Sequence, residues 1–549
     1  MALDWLPLEN IRVSGDLRQR ALRLFDRLES AQYRPDKVLC SWRPECQWPG
    51  DFEGRTILAL TLLARITGRK PKYLAEILRR FPKCMNERGY FGPVHKEFVD
   101  EQQLSSHGWV LRGLCEQSLL GKRPGLSSMI RRIVENLALP TRGLHGEYPI
   151  RPKDRTHGGG ACGKHAARNG RWRLSTDIGC DFIFLDGLVQ AYQLFRLPEL
   201  GKLIEELIRR FMEIDLVAIQ AQTHATLTGL RGVLRYAETI GNKSLVREVE
   251  KRFDLYLRQG MTENYENYNW FGRPEWTEPC GIIDSLILAV WLWKLTGDPA
   301  RIELAHRIYY NGLLPTQRDN GGFGTDTCLG AKDPYLAVST YEAYWCCTMR
   351  GGEGLASAAR FFACTDHDTL MLPFFFDGRI HWSYGGTTVR FAVKTDYPVG
   401  GRVQIRVKGA AAPVRARLRL FAPSFVSGYR LNIDGKPADF RIRKGFAEFG
   451  VTLRKGLVIE WCFDPTFRVE ETIGEKTLPG FRRYTHGPLL LGTESSREIR
   501  LTPGTEWMQV VPGVYRLSKG RILLKPLVAL AAPKKRDEKY RLQALFKEK

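Results

Sequence analysis

Three stretches of the chain repeat one local pattern, and that pattern constrains the fold more than anything else in the sequence. Leu58-Ala-Leu-Thr-Leu-Leu-Ala-Arg-Ile-Thr-Gly68, Gly232-Val-Leu-Arg-Tyr-Ala-Glu-Thr-Ile-Gly241 and Ala289-Val-Trp-Leu-Trp-Lys-Leu-Thr-Gly297 read as apolar helices that stop on glycine. Glycine takes the left-handed conformation that ends a helix, and a polar turn or proline follows before an amphipathic partner with a basic outer face. The partners are expected at Lys72 to Phe81, Ser244 to Leu257 and Ala300 to Asn311. Further helices are expected at Asp16 to Ser30, Ser106 to Leu120, Leu126 to Leu137, Cys180 to Phe195, Leu200 to Ile214 and Gly351 to Phe362. About a dozen helices, apolar inside and amphipathic outside, suit hairpins closed into a ring. No polar capping repeat is visible at either end, so an (α/α)₆ toroid over residues 1–365 is expected rather than an open solenoid.

Near Thr365 the apolar period changes from helical to two. Thr388 to Lys394, Arg402 to Val407, Ala416 to Phe421, Tyr429 to Ile433 and Gly456 to Cys462 alternate apolar with polar residues, with turn signals such as Asp396-Tyr-Pro398 and Asp434-Gly435 between them. This predicts antiparallel β-sandwich layers over residues 366–524. A basic tail, 525–549, is expected to follow, with Lys534-Lys535-Arg536 ahead of an amphipathic Tyr540 to Phe546.

Twelve cysteines in 549 residues are few and irregularly spaced, which favours reduced thiols over a disulfide scaffold. Two clusters stand out: Glu278-Pro-Cys280 and Cys346-Cys347. One carboxylate and three thiols in two distant groups are how a closed zinc site is written, and soft thiolates favour zinc over magnesium or calcium. Neither cluster is a Cys-x-x-Cys knuckle, and buried free thiols are the commoner reading of cysteines as such. Pro279 places Glu278 and Cys280 at the start of a helix. The adjacent pair requires a sharp turn, expected at Arg350-Gly351-Gly352.

The formal charge is +23 and the pI about 9.6, which raises nucleic acid, an acidic membrane or an acidic glycan as partner. Lys and Arg are scattered over the chain, so a solvated basic surface is expected, with no nucleic-acid or membrane partner. No apolar stretch approaches bilayer length and the start lacks the pattern of a secretory signal, so the expected address is cytoplasmic.

These residues carry a specific resemblance. The chain resembles the zinc-thiolate β-L-arabinofuranosidases, glycoside hydrolase family 127, over most of its length. The family's Glu-x-Cys and Cys-Cys motifs match Glu278-Pro-Cys280 and Cys346-Cys347. Its Gly-Asp-x-x-Gly-Arg signature matches Gly50-Asp-Phe-Glu-Gly54-Arg55, and its Thr-His-Ala matches Thr223-His224-Ala225. Tyr310-Asn311-Gly, Thr395-Asp-Tyr-Pro398 and Thr485-His-Gly487-Pro488 also match. The resemblance implies one Zn²⁺ on Glu278, Cys280, Cys346 and Cys347, and a retaining exo-glycosidase whose nucleophile is Cys346. It places the acid/base in the loop before Glu278, where Glu266 is preferred to Glu263. It implies sugar contacts from His224 and His107, and the loop's aromatics Tyr268 and Trp270 are read as mixed core and stacking platforms beside Trp345.

Two departures bear on specificity. Relatives carry His-Lys where this chain has Asp181-Phe182-Ile183-Phe184, and the acid/base loop is shorter here. The implied substrate is an oligosaccharide or glycoconjugate carrying β-L-arabinofuranose, with an acidic pectin-derived sugar as the variation, and a homodimer is the expected assembly. A non-catalytic zinc-containing carbohydrate cup is the reading from another class, and a lyase or epimerase on a similar toroid is a third. Thr156 to His165 is expected to be a loop on the toroid rim.

Overall fold

Gly68, Gly241 and Gly297 all adopt the left-handed conformation, at φ +73°, +74° and +73°. Each donates its N–H to the carbonyl four residues back, on Ala64, Ala237 and Trp293 respectively. The structure is a computed structural model, and it describes residues 3–41, 46–121, 124–155, 162–338, 341–475, 477–502, 504–531 and 540–548. Among the described residues, twelve helices build the ring. In chain order they are α1 (Gly15–Leu28), α2 (Asp51–Thr67), α3 (Leu74–Arg80), α4 (Glu101–Ser118), α5 (Pro124–Ile133) and α6 (Phe184–Phe195). The second half comprises α7 (Pro198–Met212), α8 (Thr223–Ile240), α9 (Lys243–Gln259), α10 (Pro279–Thr296), α11 (Pro299–Arg307) and α12 (Cys347–Arg360).

The inner helices α2, α4, α6, α8, α10 and α12 each pack on the next, and α12 returns to α2, so the ring is closed. Its sixth hairpin is discontinuous: α12 takes the N-terminal α1 as its outer partner. Outer helices bury one stripe, as α7 does with Leu200, Leu203, Ile204, Leu207 and Phe211. The inner helix α10 is apolar enough by length and hydropathy to cross a membrane, contrary to the expectation from sequence. It is instead a ring stave, with 78% of its apolar window buried.

The sandwich places a six-stranded sheet over a seven-stranded one, antiparallel except where Thr369–Leu372 runs parallel to Val414–Phe421. The chain's start is woven into it. Asp4–Trp5 pairs with Cys364–Asp366 in one sheet, and Ile11–Val13 pairs with Gly378–Tyr384 in the other. A third sheet of ten strands, with its own small cores around Leu490 and Leu542 and around Tyr484 and Phe546, takes in Phe467–Glu471 onward. The expected tail is corrected here. Leu523–Pro526, Tyr540–Gln543 and Leu545–Glu548 are strands of this sheet, because Leu542 to Phe546 are buried rather than presented to solvent. Lys534 to Arg536 lie outside the described residues.

Several signature residues are joints between these layers. Asn311 donates from Nδ2 to the Pro488 carbonyl (2.8 Å) and accepts the Leu490 N–H (2.7 Å), tying ring to third sheet. His306 bridges the Pro373 carbonyl and the Tyr397 hydroxyl, at 2.9 and 2.8 Å.

Candidate metal and sugar site

The inner helices begin at one end of the ring, and the groups expected to do chemistry sit at those beginnings. Asp51 opens α2, His224 is second in α8, Cys280 second in α10 and Cys347 first in α12. Helix N-termini carry partial positive charge and favour thiolates and carboxylates. Between them lies a cavity of about 890 Å³, large enough for more than one sugar ring.

Glu278 caps α10 in an extended conformation, Pro279 fixes the first helical residue, and Cys280 follows. Cys346 is the non-helical cap of α12, at φ −145° and ψ −71°, and Cys347 is its first helical residue. This backbone break lets neighbouring thiols converge. It lies before the pair, so the expected turn at Arg350-Gly351-Gly352 is corrected: those residues are inside α12. The glycines are there for contact, since a Cβ on Gly351 would meet the Phe323 ring at 2.2 Å and one on Gly352 the Ala59 Cβ at 2.8 Å.

The three sulfurs form a triangle with sides of 3.4, 3.5 and 3.6 Å, and Glu278 Oε1 is 4.0 Å from Cys346 Sγ. All four donor atoms lie within 4.8 Å of one another. Tetrahedral zinc with Zn–S about 2.3 Å separates its sulfurs by about 3.8 Å, so the triangle has nearly the required size. Glu278 Oε2 is buried with no hydrogen-bond partner among the described residues, as expected for an oxygen kept for a cation. Burial and then the Cys280 thiolate push the Glu278 carboxyl well above the usual range. Burial also opposes ionisation of Cys280, but hydrogen bonds from Cys346 and Cys347, then His224 and Arg55, outweigh it and draw Cys280 well below an ordinary thiol. Cys346 is pushed up by its bonds to Cys280 and Cys347 and by burial, and Cys347 by burial and then Cys280. Three such thiols cannot all ionise without a cation among them, and the donor set suits zinc.

The family signatures acquire physical reasons. Gly50 sits at φ +97°, and a Cβ on Gly54 would come within 2.4 Å of the Val110 nitrogen, so α2 and α4 touch through it. Arg55 Nε is held by both oxygens of Asp51 (2.9 and 2.8 Å), its Nη1 lies 3.6 Å from Cys280 Sγ, and it covers one side of Trp109. A turn deeper, Asp284 accepts from His224 Nδ1 (2.9 Å), Thr228 Oγ1 (2.8 Å), Arg231 and Arg350. Burial opposes ionisation of Asp284, but Arg350 and Arg231 hold its carboxyl far below the usual range. Arg112, Arg231 and Arg350 then meet Glu353, forming a buried ionic floor under the cavity. With Nδ1 committed to Asp284, His224 lines the cavity with its Nε2 buried and without a hydrogen-bond partner among the described residues.

The other sequence candidates lie elsewhere. Glu263 accepts the backbone N–H groups of Ile473 and Gly474, both at 2.9 Å, and the Thr477 hydroxyl, so it clamps a loop of the third sheet to the ring. Glu266 is fully buried behind the cavity wall and bonded to Asn264 (2.9 Å); burial and Asp326 push its carboxyl well above the usual range. Neither lines the cavity. His107 is a core histidine: Nε2 accepts the Phe91 N–H (2.9 Å), Nδ1 donates to the Gln103 carbonyl (2.7 Å), and burial lowers its pKa to about 4. Tyr268 and Trp270 are buried too; Trp270 supports Trp276 edge-on at 5.0 Å, and Trp276 is the ring that lines the cavity. Phe182 stacks on Phe211 in the core, while Asp181 binds His145. The rim loop's residues 156–161 lie outside the described residues, but Gly163 reaches the cavity, accepting from Trp48 Nε1 at 2.7 Å.

Sequence reasoning missed Asp284 and Arg350 as site residues, although both follow a predicted ligand by one helical turn. It also missed Asp177, and the Tyr341, Tyr344 and Trp345 cluster was noted only for Trp345. Those three rings stand partly exposed at the mouth, packed edge-on.

Residues 369–464 match the family model described as Beta-L-arabinofuranosidase, GH127 middle domain. No curated protein sequence matches the chain. A GH127 β-arabinofuranosidase structure is similar at TM-score 0.74 and 12% identity, covering 100% of this chain and 98% of that one. A GH127 β-L-arabinofuranosidase from Geobacillus stearothermophilus T6 follows at TM-score 0.73 and 13% identity, covering 98% and 100%. A protein titled "Glycoside hydrolase" is similar at 0.71 and 14%, covering 100% and 98%. The likeness in fold extends over the whole chain. Residues 369–464 thus match the middle domain of glycoside hydrolase family 127, and the whole chain shares the fold of enzymes of that family, with a Glu-Cys₃ cluster at the mouth of an (α/α)₆ ring.

Proposed function

We propose that the protein is a zinc-dependent, retaining exo-glycosidase that releases a furanose, β-L-arabinofuranose being the first candidate, through Cys346 as nucleophile. The observation that carries this reading is the convergence of Cys346 with Cys280, Cys347 and Glu278 on the wall of a sugar-sized cavity. Cys346 is the partly exposed member of the three thiols; Cys280 and Cys347 are buried. Zinc bound by these four groups would keep the sulfurs ionised near neutral pH. The protein's part is then geometric. Cys346 Sγ faces the anomeric carbon, His224 Nε2 receives or supplies a hydrogen bond to a sugar hydroxyl, and Trp276 offers a flat face. The thioglycosyl bond formed at Cys346 is hydrolysed in the second half of the reaction, so the anomeric configuration is kept.

The cavity does not favour the acidic-sugar variation. Asp51, Asp177 and Glu278 line it against Arg55 and Lys37, and Arg55 is already held by Asp51. A neutral sugar fits such a lining better than a uronic acid. The test is hydrolysis of p-nitrophenyl β-L-arabinofuranoside within a wider glycoside panel, with metal content measured on the same preparation. Turnover by a zinc-loaded wild type, absent from a folded Cys346→Ala variant, supports the proposal; a zinc-loaded protein that binds sugars and hydrolyses none supports the non-catalytic cup.

A further inference from the structure

Retaining hydrolysis needs a second group that protonates the leaving oxygen and then takes a proton from water. With Glu263 clamped to the third sheet and Glu266 behind the wall, that group must come from the cavity itself. Three carboxylates line it among the described residues. Asp51 commits both oxygens to Arg55, and Glu278 belongs to the sulfur cluster. The third is Asp177, on the loop between the strand Trp172–Ser175 and α6.

Asp177 is held in place without being neutralised. Its own N–H donates to Ser175 Oγ (3.1 Å), fixing the loop, and its Oδ1 accepts from the Gly163 N–H (3.1 Å). No arginine or lysine pairs with it among the described residues. The titratable groups that act on it are His224, Glu101, Glu278, Cys162 and Cys180, and it lines the same cavity as Cys346. Relying on the glycosidase reading above, we propose that Asp177 is the acid/base catalyst of this protein, in place of a glutamate in the loop before Glu278.

The protonated Asp177 carboxyl gives its proton to the glycosidic oxygen while the C1–O bond breaks and Cys346 Sγ bonds to C1. The Asp177 carboxylate then takes a proton from the water that attacks C1, and the C1–S electron pair returns to sulfur. Burial, opposed by the Gly163 N–H, raises the Asp177 pKa to about 6, which leaves both forms accessible near neutral pH.

The experiment compares kcat/KM for a dinitrophenyl and a methoxyphenyl β-L-arabinofuranoside on the zinc-loaded wild type, Asp177→Ala and Asp177→Asn, the last keeping an acceptor for Gly163. The expected loss is about 10²–10⁴-fold on the methoxyphenyl glycoside, which needs acid assistance, and far smaller on the dinitrophenyl one. Azide should restore the alanine variant and give a glycosyl azide of retained configuration. Equal losses on both substrates, no loss on either, or the same leaving-group signature at Glu266→Gln would overturn the assignment while leaving the glycosidase reading intact. Failure of the wild type to hydrolyse any glycoside would overturn both.

Discussion

The cup has two unlike walls. On one, Cys280, Cys346, Cys347 and Glu278 bring four groups that repel when ionised to within 4.8 Å of one another, and a buried carboxylate oxygen has no hydrogen-bond partner among the described residues. On the other, His224 is fixed by Asp284, and Asp177 by Gly163 and Ser175. The first wall is electrostatically complete only with a cation; the second is completed by the protein. Metal should therefore be needed for the chemistry and the local stability of the thiolate wall, while the second group keeps its geometry without it.

Replacing Cys346 by alanine should lower kcat/KM by roughly 10⁴–10⁶-fold, as for other covalent nucleophiles, with circular dichroism unchanged. Removing the metal with a strong chelator should abolish turnover, expose thiols to an aromatic disulfide reagent and lower the melting temperature; zinc should restore all three. A chelated protein with full activity would break the contrast outright. Asp284→Asn attacks the second wall. It frees His224 and leaves Arg231 and Arg350 facing each other, so it should cost about 3–5 kcal/mol in stability and reduce turnover while leaving zinc content unchanged. The pH profile gives a smaller effect with a definite sign. The protonated form of Asp177 is the reactive one, so kcat/KM should fall as pH rises through about 6, and Asp177→Asn should flatten that limb. Least affected should be Glu263→Gln. It loses part of a buried clamp worth about 1–3 kcal/mol and should lower the melting temperature with catalysis unaltered.

The ring was legible because its signals are local. Gly68, Gly241 and Gly297 end helices wherever they fold, and the change of period near Thr365 follows from backbone geometry. The Glu-Cys₃ cluster was legible because its two short motifs match those of a known family; on the cysteines alone, buried free thiols were the commoner reading. The sequence preferred Glu266 to Glu263 but did not show what either binds: a loop glutamate can protonate a substrate or accept backbone N–H groups, and only the loop 473–477, more than two hundred residues away, decides the case for Glu263. His107 misled for the same reason, its partner Phe91 lying outside its helix. Arg350-Gly-Gly looked like a turn because glycine serves both for turning and for close contact, and the contacts are Phe323 and Ala59. Asp177 sits in an aperiodic loop with no signal, and its place depends on Gly163 and His224 arriving from other parts of the chain.

The most direct test labels the nucleophile. Zinc-loaded wild-type protein is treated with an electrophilic epoxide mimic of β-L-arabinofuranose, digested and mapped by mass spectrometry. A single adduct on Cys346 is expected, abolished by Cys346→Ala and by excess free arabinofuranoside. An adduct on a carboxylate such as Glu266 or Asp177, with Cys346 unmodified, would contradict it.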